Sequence, residues 1–73
     1  MAIATGIVIV AQENRFQLAV DGGGTRIFVV AHNAAIDPDQ LAALQQRQSR
    51  VAVTFHPIDQ LIADEARAIT ELA

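Results

Sequence analysis

Of the 73 residues in this chain, the stretch Ile36-Asp37-Pro38-Asp39-Gln40-Leu41 most restricts what it can fold into. Asp37 suits a helix N-cap, because its carboxylate can accept from backbone N–H groups that the first helical turn leaves unpaired. Pro38 suits the position after the cap, where no N–H is needed and the fixed φ favours a helix. Gln40, three residues past the cap, is placed to close a capping box, and Ile36 to staple onto Leu41. The helix runs from Pro38 to about Gln48, with Leu41 and Leu44 on one stripe and Ala42 and Ala43 beside them. Arg47 and Arg50 fall near its C-terminal end, where cations oppose the negative pole of the dipole.

Everything before this helix reads as strand and turn. Thr5 to Ala11 is rich in β-branched residues and ends at polar Gln12-Glu13-Asn14, which marks a strand. Asn14, which tolerates the left-handed region, makes the turn. Arg15 to Val20 alternates, with Phe16, Leu18 and Val20 on one side and Arg15, Gln17 and Ala19 on the other, as a half-buried strand does. Asp21-Gly22-Gly23-Gly24 forms a hairpin turn, and Thr25 to Ala31 returns as a third strand. After the helix, Val51 to Phe55 alternates again and stops before Pro57.

The last stretch admits two readings. Ile58, Leu61, Ile62, Ile69 and Leu72 fit one face of a helix, and Asp64-Glu65-Ala66-Arg67 contains acceptable helix formers. Four strands and one helix, however, leave a barrel unclosed, with edges that invite aggregation. A fifth strand from about Ala63 to Leu72, paired with the third, closes it. Because context overrides propensity, the strand is the expectation.

Composition sets the class. A single domain spanning residues 1–73 of this size buries only about 60% of its unfolded surface, so its own core is small. With no Cys, disulfides and thiolate metal sites are excluded, and oligomerisation is the usual remaining route to more buried area. The 52% hydrophobic content excludes a disordered chain. The longest apolar runs, Ile7 to Ala11 and Ile27 to Ala31, are too short to cross a bilayer, so no membrane association is expected. Met1-Ala2-Ile3 carries no positive charge ahead of an apolar stretch, so a cytoplasmic location is expected. The net charge is −3, every basic residue is Arg and Lys is absent, which disfavours a protein that lives on phosphate contacts.

Three strands, a helix and two strands is the order of the OB-fold, and the expected architecture is a mainly β, small five-stranded OB-like barrel with one short helix between strands 3 and 4. Phe16 to Gly23, Val51 to Leu61 and Ala66-Arg67-Ala68-Ile69 give the chain a resemblance to the small single-domain OB proteins of the translation initiation factor one family. They look like that family's second strand and turn, its fourth strand with a proline-bearing loop, and its Gly-Arg-Ile start of strand five. The resemblance implies the fold. It does not carry over ribosomal RNA binding, because that family is basic and this chain is acidic.

Chemistry-bearing motifs are sparse. Asp21-Gly22-Gly23-Gly24-Thr25 lacks both the following helix and the Lys of a phosphate loop. His32 and His56, with Asp37 or Asp59, lack the close pairing of catalytic zinc motifs. There is no Cys nucleophile, and no Ser or Thr shows a base and an orienting group. Neither a catalytic residue, a metal nor a cofactor is expected. The informative anomaly lies in strands one and three, which are apolar on both faces although a barrel buries only its interior. With Ile7, Ile9, Ile27 and Val29 inward, Val8, Val10, Phe28 and Val30 face out. Arg15, Gln17 and Ala19 then lie between them, with Arg26 and His32 at the margin. This is the OB ligand face, and it is the expected site for a protein partner or a second copy. The alternative is single-stranded nucleic acid stacked on Phe28 with Arg15 and Arg26 helping, against repulsion from Glu13 and Asp21. A helical last segment would cover the same patch.

Overall fold

The computed structural model describes residues 2–57 and 63–72. Its elements are β1 (Ala2–Gln12), β2 (Arg15–Val20), β3 (Thr25–Val30), α1 (Pro38–Arg47), β4 (Arg50–His56) and β5 (Asp64–Glu71). The strands close in the order β1-β2-β3-β5-β4, a barrel of OB-like topology with the helix between strands 3 and 4. The contested last stretch is a strand over Asp64–Glu71. It runs parallel to β3 from Phe28↔Asp64 to Val30↔Ala66 and antiparallel to β4 from Val51↔Glu71 to His56↔Glu65. Ile58, Leu61 and Ile62 of the helical reading lie outside the described residues.

Closure depends on β1, which serves two ladders. Its first half pairs with β4, from Ala2↔Phe55 to Ile7↔Arg50, and its second half with β2, from Gly6↔Val20 to Gln12↔Arg15. Gly6 belongs to both, and the backbones approach so closely there that a Cβ would lie 2.0 Å from the Ala19 carbonyl oxygen. Only glycine fits this crossing.

The helix is capped by Asp37, whose Oδ1 accepts from the Asp39 backbone N–H at 2.8 Å. Among the described residues Gln40 makes no reciprocal bond to the cap; it is exposed, while Ile36 and Leu41 both enter the core. At the other end Gln48 turns left-handed (φ 52°). Arg47 occupies the last turn, but Arg50 starts β4 instead of serving the helix dipole. The β1–β2 turn also differs from expectation: the positive φ falls on Glu13 (24°), whereas Gly22, Gly23 and Gly24 take positive φ in the β2–β3 turn as anticipated.

Phe16, Leu18, Phe28, Val51, Val53, Phe55, Leu41 and Leu44 fill the barrel. The Phe16 and Phe28 rings stack at 5.2 Å, and Phe28 meets Phe55 edge-on at 5.2 Å. Such pairs contribute about 0.5–1.5 kcal/mol beyond area burial.

The phase of two strands is the reverse of the sequence expectation. Val8 and Phe28, expected outside, are core residues at 1% and 0% exposure, and Val30 packs against the core. Ile7 and Ile9, expected inside, are exposed. Two register features cause this. A β-bulge between Val8 and Val10 adds Ile9 to β1, so Val8 rather than Ile9 lies opposite inward Leu18. On β3, Phe16 pairs directly with Phe28, and directly opposed residues share a face of the sheet.

Candidate interaction surface

The outer face of β1, β2 and β3 can be assembled pair by pair. Across β1–β2, Ile7 lies opposite Ala19, Val10 opposite Gln17 and Gln12 opposite Arg15. Across β2–β3, Arg15 lies opposite Val29, Gln17 opposite Ile27 and Ala19 opposite Thr25. The result is an apolar surface with Gln17 at its centre and Gln12 and Arg15 at one end. Val10, Arg15, Gln17 and Ala19 are on it as expected. Ile7, Ile27 and Val29 take the places assigned to Val8, Phe28 and Val30.

The bulge enriches this surface. Normal alternation would expose only one of two consecutive residues, but here both Ile9 and Val10 leave the interior, at 43% and 38% exposure. The carbonyl of Ile9, displaced from the ladder, accepts from Gln45 Nε2 of α1 at 3.1 Å. Among the described residues the large exposed hydrophobics are Ile3, Ile7, Ile9 and Val10, all on β1. Beside them a shallow groove of about 170 Å³ is lined by Val10, Gln12, Arg15, Phe16, Gln17 and Ile27. It meets a more open hollow at the β1–β2 turn, formed by Gln12, Glu13, Asn14 and Arg15.

Two residues expected at the margin lie off this face. Arg26 has the inward phase of Phe28; its Nε lies 3.1 Å from Asp64 Oδ2 and its guanidinium 4.8 Å over the Phe55 ring. His32 is exposed in the connection between β3 and α1. The other arginines except Arg15 are also paired: Arg47 with Glu71 at 3.0 Å, Arg67 with Glu65 at 2.9 Å, and Arg50 with Asp21. Hydrogen bonds from Arg50 and then Thr5 hold the Asp21 carboxyl below its ordinary pKa.

Among the described residues no group of three or more His, Asp and Glu side chains is arranged to hold a metal ion. Within the same residues no helix is long and apolar enough to cross a membrane. Comparison with protein-family models finds no match, and neither does a search of curated proteins.

Proposed function

We propose that this chain is a small non-enzymatic OB-like interaction module that binds a protein surface through the outer face of β1, β2 and β3. The observation that carries the reading is the concentration of exposed Ile3, Ile7, Ile9 and Val10 on one strand beside a groove. A contiguous apolar surface rimmed by polar groups marks an interaction site, whereas scattered single hydrophobics do not. Gln12, Gln17 and Arg15 supply the polar groups that would fix orientation at the groove.

Single-stranded nucleic acid fits this face less well. Binding of that kind rests on exposed aromatic rings in a basic channel. All three Phe residues of the chain are buried, and Trp and Tyr are absent. Among the described residues Arg15 alone lacks a carboxylate partner and is left to meet phosphates, in a chain of net charge −3. For the same reasons, the likeness to the initiation factor family extends to layout and not to RNA binding.

A photo-reactive benzophenone side chain introduced at Val10 tests the proposal in living cells, with Thr70 on β5 as the control position. The expected result is a discrete protein adduct from Val10 and none from Thr70. Adducts equal at both positions, or absent at Val10, would refute the assignment of this face.

A further inference from the structure

The charges among the described residues leave one remainder. Among the described residues Arg26, Arg47, Arg50 and Arg67 each have a carboxylate partner, and Arg15 has none. Of the described carboxylates outside those pairs, Asp37 caps α1 and Asp39 sits in its first turn, where negative charge is stabilising. Glu13 remains among the described residues, exposed in the β1–β2 turn two residues from Arg15 and in none of the four ion pairs. One unpaired cation and one unpaired anion thus stand at the same end of the apolar face.

We infer that the occupant of this face is a second copy of the chain, packed about a two-fold axis running between β1 and β2. The inference rests on the interaction reading above and names its partner. In an isologous contact, residue i of one copy meets residue j of the other and the reverse. An axis parallel to the strands and midway between β1 and β2 exchanges them while keeping their register. Ile7 then faces Ala19 of the second copy, a large side chain against a small one, and Val10 faces Gln17. Arg15 faces Gln12 and the neighbouring Glu13 of the second copy, so both unpaired charges are satisfied twice across the axis. No residue brings a second charge of either sign to the centre, which leaves the middle of the contact apolar. A chain with so small a core also gains buried area by this route.

Sedimentation equilibrium of the full chain from about 10 µM to about 1 mM reads the association directly. The expected result is a reversible doubling of the 7.8 kDa mass. Arg15→Glu and Glu13→Arg should each weaken association about tenfold, since each replaces two symmetry-related attractions by repulsions. The double variant Glu13→Arg/Arg15→Glu restores complementarity and should return to within about threefold of the original affinity. Both sites lie at an exposed turn, and far-UV circular dichroism confirms that the variants remain folded. A monomer at the highest concentration, or a double variant no tighter than the single ones, would overturn the second-copy inference. If the Val10 cross-linker then captures a different protein in cells, the face still binds and only its occupant is wrong. If it captures nothing, the face itself fails.

Discussion

Gly6→Ala should strongly destabilise the fold although it adds a single methyl group. The added Cβ would lie 2.0 Å from the Ala19 oxygen, 2.9 Å from its carbonyl carbon and 3.0 Å from Val20 Cα. All three are backbone atoms, so no rotamer change relieves the contact. Reaching an ordinary 3.4 Å from 2.0 Å requires β1 and β2 to part locally by 1.4 Å. Overpacking of this kind costs about 1–3 kcal/mol, and the two flanking ladder hydrogen bonds it stretches contribute about 0.5–1.5 kcal/mol each. The expected loss is therefore about 2–6 kcal/mol, against a total stability of about 4–11 kcal/mol for 73 residues. Without Trp or Tyr, unfolding is followed by far-UV circular dichroism in urea. With a slope of about 1–3 kcal/mol per molar, the midpoint should fall by about 1 M or more. Gly23→Ala is the control: its Cβ meets nothing within 4 Å, and the φ of 113° makes its cost one of backbone strain alone. A Gly6→Ala midpoint equal to that of the unmodified chain would refute the claim that β1 serves both ladders through this close approach.

Other residues give simpler tests by the same measurement. Phe28→Ala, at the centre of the three-ring cluster, should lose about 3–5 kcal/mol, whereas a surface position would lose almost nothing. Asp37→Ala removes the bond to the Asp39 N–H and should cost about 0.5–2 kcal/mol. Asp21 has a lowered pKa in the folded state, so its pairing stabilises above the unfolded pKa and is lost as pH falls through the folded one. Thermal midpoints measured from neutral to strongly acidic pH should show that loss, and Asp21→Asn should flatten the corresponding part of the curve.

The barrel was legible because its signals are local. Alternation in Arg15 to Val20 and in Val51 to Phe55 put Phe16, Leu18, Val51, Val53 and Phe55 inside, where they are. Asp37-Pro38 marked the helix start to the residue. The fifth strand was legible only through the need for closure, since Asp64 to Glu71 has no strong strand propensity of its own. The initial extent of β1 was missed: Thr5 looked like its beginning, but pairing with β4 extends it back to Ala2. That pairing is long-range and has no mark in the neighbouring residues.

An apolar outer face on strands one to three follows from the sequence, but alternation inverts part of its residue set, and the inversion has a definite origin. Starting from Gln12↔Arg15, an uninterrupted ladder would set Ile9 against Leu18 and Ile7 against Val20, which puts both isoleucines inside. One bulged residue shifts the remaining pairs to Val8↔Leu18 and Ile7↔Ala19, and every side chain beyond it changes sides. On β3 the offset lies in the turn: pairing Val20 with Thr25 would place Ile27 inside, but Ala19 pairs with Thr25 instead and brings Phe28 in. Because strands one and three are apolar on both faces, hydrophobicity cannot choose between such registers. What decides is the volume of Phe28 beside Phe16 and Phe55, together with Gly6, whose close approach fixes which part of β1 faces the interior. The same bulge that defeats the alternation rule also places Ile9 and Val10 side by side on the outside, so the hardest register to read from the sequence is the one that builds the candidate face.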